Sequence, residues 1–183
     1  SAASDVYKRQ SLGSLSSTNV NQLGQKNIDL TINCAAATKV SWNMVDDRAD
    51  TNANLEVANA RFDGDALTST DQTFGVGKTA GNVNIGSYSL FVKTDSVKAD
   101  NVTVDPIIRS GTSGAWTKSV NGSAQGQSLR DFTVATTGSV EPLAFQTATF
   151  PLVTSLAIDK TSTLAITDDT SLDGQITISL RYL

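Results

Sequence analysis

Residues 28–34 read Ile-Asp-Leu-Thr-Ile-Asn-Cys, a strict alternation of apolar and polar side chains. Successive side chains of a β-strand point to opposite faces of the sheet, so this stretch predicts a strand with one buried face. Residues 176–182 read Ile-Thr-Ile-Ser-Leu-Arg-Tyr and repeat the alternation soon after Asp173-Gly174, a strong hairpin signal. Both stretches therefore indicate a β protein.

Shorter alternations of the same kind fill much of the chain between these two stretches. They are centred on Val40, Trp42 and Met44; Val83 and Ile85; Tyr88, Leu90 and Val92; Val102, Val104 and Ile107; Phe132 and Val134; Leu143, Phe145 and Thr147; Leu156 and Ile158; and Leu164 and Ile166. About nine short strands at spacings of roughly 8–15 residues are typical of a β-sandwich or a barrel. We therefore expect one all-β antiparallel domain over residues 11–183.

Two stretches lack this periodicity. Residues 46–73 are polar, and because a structureless loop of such length is uncommon, a short helix is predicted between Thr51 and Ala60. Residues 110–127 are rich in glycine and serine around Trp116 and predict a long exposed loop.

The first ten residues differ in character from the rest of the chain. Residues 5–10, Asp-Val-Tyr-Lys-Arg-Gln, match the translation of a transposon end used in preparing sequencing libraries. Residues 1–10 are therefore interpreted as a non-native scar, the alternative being a native disordered terminus.

Histidine is absent from the chain, and Cys34 is its one cysteine. Serine–histidine and cysteine–histidine catalysis both need an imidazole, and histidine is the commonest ligand of transition metals. A single thiol forms neither an internal disulfide nor a multi-thiolate metal site. We therefore predict no catalytic residue, no metal and no cofactor, and interpret the chain as a protein that is not an enzyme.

The formal net charge is −4, and the lysines and arginines are scattered. Binding along nucleic acid needs clustered cations, so no nucleic-acid partner is expected. The longest apolar runs are far shorter than the roughly 20 residues that span a bilayer, so no membrane insertion is expected.

The densest charge group is Asp46-Asp47-Arg48-Ala49-Asp50. Paired carboxylates can perform acid–base chemistry, or bind calcium together with Asp63 and Asp65. The simpler interpretation is a turn in which an aspartate caps backbone N–H groups and Arg48 pairs with a carboxylate.

Two single residues allow two interpretations each. Trp116 either stacks on a sugar ring as a ligand-contact aromatic or folds back over the edge of the sandwich. Cys34 either packs as a small hydrophobe or forms half of a disulfide whose partner lies upstream.

Several short phrases occur together in the order typical of one family. They are Thr31-Ile32-Asn33-Cys34, Ala37-Thr38-Lys39-Val40, Asp46-Asp47-Arg48-Ala49, Phe74-Gly75-Val76-Gly77, Asn84-Ile85-Gly86-Ser87-Tyr88, Ala115-Trp116, and Leu172-Asp173-Gly174 leading to Tyr182-Leu183. Over residues 28–183 the chain resembles the fimbria-associated family of Gram-negative bacteria catalogued as domain of unknown function 1120 (DUF1120).

The resemblance implies an exported, pilin-like β-sandwich of the immunoglobulin type, in a structural or adhesive subunit of a fimbria. In similar subunits the fold lacks one strand, which a periplasmic chaperone supplies during export and a neighbouring subunit replaces after assembly by the usher. The expected location is the periplasm in transit and then the cell surface.

The resemblance also assigns roles to particular residues. The C-terminal strand, with Ile176, Ile178, Leu180 and Tyr182 facing the core, is expected to be the edge offered to the chaperone or the next subunit. The alternative is an interior strand with both edges paired. Family members usually carry an earlier cysteine that would pair with the position of Cys34, and residues 1–33 contain none.

A second function remains open at this point. A stand-alone carbohydrate-binding, lectin-like sandwich would bind a surface glycan, and it predicts an exposed aromatic platform at Trp116 in a complete sheet.

Overall fold

The computed structural model describes residues 15–67, 72–166 and 170–183. The segment interpreted as a scar, residues 1–10, lies outside the described residues. Within these ranges the strands are β1 (Asn21–Thr38), β2 (Val40–Asp46), β3 (Thr73–Gly75), β4 (Gly86–Val92), β5 (Lys98–Ala99), β6 (Val102–Thr103), β7 (Asp105–Ser110), β8 (Thr117–Lys118), β9 (Arg130–Ala135), β10 (Phe145–Ile158) and β11 (Ile176–Tyr182). A 3₁₀ turn covers Ala49–Thr51, and a one-turn helix, α1, covers Thr161–Leu164.

The strands form two sheets. The first has the order β3-β4-β10-β5-β6, with β1 paired to β10, and the second has the order β11-β2-β9-β7-β8. The pairings between these strands are antiparallel. The predicted all-β class is confirmed, with two antiparallel sheets as in a β-sandwich.

The long strand β10 joins two parts of the first sheet. Its early residues Ala148 and Thr149 pair with β5, and Leu152–Ile158 pair with β4, while β1 runs along its opposite edge. Among the described residues, β1 pairs with no strand other than β10, so its outer edge lies at the border of the sheet.

Aromatic side chains from both sheets meet in the core. Trp42 of β2 stacks on Phe132 of β9 with ring centroids 4.7 Å apart. The edge of the indole contacts Phe150 of β10 at 5.6 Å, in a T-shaped arrangement. Because β2 and β9 belong to one sheet and β10 to the other, these three aromatic side chains pack the two sheets against each other.

The helix predicted between Thr51 and Ala60 is wrong. Residues 51–60 are all described, and the 3₁₀ turn that ends at Thr51 is the one helical element to reach this range. Asn54 and Asn59 have φ angles of 57° and 50°, which a right-handed helix does not tolerate. Val57 instead bridges to Leu67 and is fully buried.

The segment is held by packing against the outer face of the first sheet. Val57 and Ala60 form a small second core with Phe91 of β4 and with Val153 and Ala157 of β10. Its apolar side chains are buried one at a time against the sheet, so they do not repeat with a helical period.

Candidate functional site: a groove between two strand edges

The C-terminal strand β11 lies at the edge of the second sheet. It pairs with β2 from Ile176 opposite Asp46 to Tyr182 opposite Val40. In the part of the chain that the structure describes, no strand pairs with its other edge. Its outward backbone N–H and C=O groups are therefore available to another strand.

The edge strand β1 leaves its regular register near its C-terminal end. Asn33 pairs with Thr147 and Thr38 pairs with Phe145, so the four residues 34–37 of β1 lie opposite the single residue Gln146. The Gln146 side chain donates from Nε2 to the carbonyl of Ala35 at 3.3 Å. The sequence predicts a connection between strands at the three alanines, residues 35–37, and the structure places them in this irregular part of β1.

A groove of about 340 Å³ opens between the end of β1 and the end of β11. Residues of β1 from Ile32 to Thr38 line one side, and Leu180 and Tyr182 of β11 line the other. Val40, the first residue of β2, lies between them. The groove therefore runs between two strand edges that belong to different sheets.

The four apolar residues of β11 do not share one environment. Ile176 and Ile178 are half-buried and pack against the core, as expected. The alternation predicts that Leu180 and Tyr182 also face the core, and this is wrong. Their exposed fractions are 56% and 81%. The alternation places all four on one face, but the last two lie at the groove between the ends of β1 and β11, where they are exposed.

Cys34 lines the groove from the β1 side. Its thiol is free in this structure, and the residue is half-buried and packs against the core cluster. It therefore packs as a small hydrophobe here, and its pairing with an upstream cysteine stays a prediction.

Trp116 is not a free aromatic platform. The guanidinium of Arg109 lies 4.5 Å from the centroid of its ring, and Arg109 itself forms an ion pair with the buried Asp131 at 2.9 Å. One face of the half-buried indole is thus covered, which favours the interpretation that it folds back over the sandwich.

The acidic group at residues 46–50 forms a turn. The carboxylate of Asp46 accepts hydrogen bonds from the backbone N–H groups of Arg48 and Gly75, both at 2.9 Å. Burial raises the pKa of Asp46 above its usual value. Arg48 forms an ion pair with Asp173 at 2.9 Å, as the turn interpretation requires.

The other carboxylates considered for calcium are engaged elsewhere. Asp63 and Asp65 form ion pairs with Arg61. Across the described residues there is no group of three or more acidic, histidine or cysteine side chains that could hold a metal ion.

Comparison with known proteins supports part of the resemblance. The family model described as "Protein of unknown function (DUF1120)" matches residues 5–89. The matched range includes β1, β2 and β3 and ends inside β4, so it contains the β1 side of the groove but not β11. The phrases quoted beyond Ser89 lie outside this match.

Two proteins of Escherichia coli (strain K12) are similar to nearly the whole chain. "Uncharacterized protein YhcF" is 29% identical over 97% of this chain and 80% of its own length. "Protein GltF" is 28% identical over 88% of this chain and 71% of its own length. No solved structure matches the chain. No helix in the described ranges has the length and hydropathy needed to cross a membrane.

Proposed function

We propose that the chain is a subunit of a bacterial surface fimbria that is assembled by β-strand complementation. The observation that carries the proposal is the groove, in which Leu180 and Tyr182 are exposed beside two strand edges that have no second partner strand among the described residues. The partners would be a periplasmic chaperone, an usher and neighbouring subunits. The protein would pass through the periplasm to the surface of a Gram-negative cell.

Physical reasons favour an extended strand as the occupant of the groove. Strand edges present unpaired backbone N–H and C=O groups, and an added strand satisfies them through a regular ladder. Apolar side chains at every second position of that strand would cover Leu180 and Tyr182. The resemblance to fimbria-associated proteins implies this use of the groove, and residues 5–89, which match the DUF1120 family model, include the β1 side of it.

The proposal predicts that a strand supplied in the same chain stabilises the protein. A short turn and an alternating apolar strand of about nine residues are added after Leu183, so that the new strand can pair antiparallel with β11. Burying two large side chains contributes roughly 3 kcal/mol. For a domain of this size that corresponds to a melting temperature higher by about 10 °C.

The matched control carries the same extension with serine at each apolar position of the added strand. Thermal unfolding followed by circular dichroism compares the two fusions with the unextended protein. Equal melting temperatures for all three would mean that the groove does not accept a strand.

A further inference from the structure

A second cavity lies at the other end of β2. That strand runs from Val40 at the groove to Asp46 at this cavity, and six residue steps of about 3.3 Å separate the two by roughly 20 Å. The volume of the second cavity is about 430 Å³, and none of its lining residues also lines the groove. Its occupant would therefore be independent of strand addition.

Carboxylate and amide side chains from three separate segments line the cavity. These side chains are Asp46, Asp50, Asn52, Asn54, Asn84 and Gln127. The apolar residues of the lining are Ala49, Phe74 and Leu129, and the exposed fraction of Leu129 is 54%.

Hydrogen bonds hold one of these amides in a single orientation. Asn52 donates from Nδ2 to the carbonyl and the hydroxyl of Thr73, at 3.1 and 3.0 Å. Its Oδ1 accepts from the backbone N–H of Asn54 at 2.9 Å and from the hydroxyl of Ser87 at 2.6 Å. All the donors and acceptors of the Asn52 side chain are thus engaged within the protein, and this residue supports the wall of the cavity without a free atom for a ligand.

The side chains of Asn84 and Gln127 each form a hydrogen bond through one polar atom and, among the described residues, leave the other polar atom unbonded. Asn84 donates from Nδ2 to the carbonyl of Asn52 at 3.2 Å, and Gln127 accepts through Oε1 from the N–H of Asp46 at 2.8 Å. Within the described parts of the chain, Oδ1 of Asn84, Nε2 of Gln127 and the exposed carboxylate of Asp50 have no hydrogen-bond partner. The cavity therefore combines free acceptors with a free donor.

The charges at the cavity select the class of ligand. None of the described residues that line it is a lysine or an arginine, and the guanidinium of nearby Arg48 is taken by Asp173 and Gln175. An anion would lack a counter-charge. Both carboxylate oxygens of Asp46 already accept backbone N–H groups, so a cation would find one free carboxylate, Asp50, and the amide oxygen of Asn84. Calcium takes about six to eight oxygen ligands, which is more than these groups supply.

We propose that this cavity binds a neutral sugar, a hexopyranose at the end of a surface glycan. Neighbouring hydroxyl groups of a pyranose both donate and accept, which matches the carboxylate, the amide oxygen and the amide N–H that line this cavity. The aliphatic face of the ring would rest on Leu129. Trp116 takes no part in this site.

Saturation-transfer-difference NMR with the methyl glycosides of mannose, galactose and N-acetylglucosamine tests the proposal. At least one glycoside receives saturation, and its Kd is measured by titration. Asp50→Ala removes a charge-assisted hydrogen bond and raises that Kd about tenfold. Ala49→Trp fills the cavity and abolishes the transfer. Asp29→Ala, which removes an exposed carboxylate from β1, leaves the saturation transfer and the Kd unchanged.

Three results would overturn the proposal. They are no transfer from any of the three glycosides at millimolar concentration, an unchanged Kd in Asp50→Ala, and calcium binding in a titration with calcium chloride that Asp50→Ala removes. The stabilisation by the added strand is measured in Ala49→Trp as well. Because the groove and the cavity share no residue, that stabilisation is retained, and the two proposals fail or stand separately.

Discussion

At the scale of single residues, the buried carboxylate of Asp131 organises the outer side of the second sheet. It is fully buried and accepts hydrogen bonds from the Ser41 hydroxyl at 2.9 Å and from Nε of Arg109 at 2.9 Å. Arg109 in turn covers Trp116. Asp131 therefore also holds the guanidinium that covers one face of the indole.

Replacing Asp131 with alanine leaves the Arg109 guanidinium without a counter-charge in a mostly buried position. We expect the free energy of unfolding to fall by about 3–5 kcal/mol. Chemical denaturation measures the change. Asp173→Ala breaks the exposed ion pair with Arg48 and should leave stability almost unchanged. A similar small effect for both variants would contradict the role given to Asp131.

A second residue-scale prediction concerns pH. Burial raises the pKa of Asp46 above the ordinary value of 3.8, because the charged form is poorly solvated. Its contribution to stability is therefore fully present below pH 3.8 and is lost as the pH rises through the folded-state pKa.

An asparagine at this position does not titrate. The stability of the natural protein relative to Asp46→Asn should therefore decrease as the pH is raised from about 3 to 7. Urea denaturation of both proteins across this range measures the difference, in which acidic groups that do not interact with Asp46 cancel. Repulsion by Asp47 and Asp50 also raises the pKa of Asp46 and so acts in the same direction as burial. A difference that stays flat, or that grows with pH, would mean that burial does not dominate at Asp46.

At the scale of elements, β11 divides into an inner half and an uncovered half. Ile176 and Ile178 pack on the core, whereas Leu180 and Tyr182 are exposed at the groove. Substitutions in the uncovered half should therefore affect strand addition without unfolding the domain.

The double variant Leu180→Asp and Tyr182→Asp should abolish capture by the cognate periplasmic chaperone. Two charges would then lie where the added strand must bury apolar side chains. Co-purification after co-expression measures capture, and circular dichroism checks folding. Ser179→Asp with Arg181→Asn changes the net charge equally on the opposite face and should retain capture. If the double variant folds and is still captured, the interaction edge lies elsewhere.

The central strand β10 shows why sequence alternation misplaces element boundaries. The alternation indicates two short strands, around Phe145 and around Leu156, with Pro151 between them. The structure has one continuous strand. Pro151 does not interrupt it, because this residue falls between the residues paired with β5 and those paired with β4. A proline is tolerated there because no partner on that side requires its missing N–H.

At the scale of the whole molecule, the two proposed sites lie at opposite ends of β2. The groove lies at the Val40 end and the polar cavity at the Asp46 end. A strand added at the groove would leave the cavity open to solvent. This separation is suited to a subunit that joins its neighbours at one end and contacts a glycan at the other.

The amino-acid sequence by itself determined the β class and the faces of its clearest strands. The alternation in residues 28–34 and 176–182 is a local property. It persists in the burial of β1 over residues 28–34 and of β11 as far as Ile178, because these parts of the two strands have one side towards the core. The absence of histidine from this sequence is likewise a matter of composition alone.

Only the tertiary structure decided which strands remain uncovered and where polar groups converge. Nothing in residues 176–182 shows that cover ends after Ile178, because Leu180 and Tyr182 lie at a groove whose other side belongs to the distant strand β1. The polar cavity likewise combines side chains from residues 46–54, 73–74, 84 and 126–129. Side-chain alternation is set by the backbone over neighbouring residues, whereas burial and convergence arise from contacts between residues far apart in the chain.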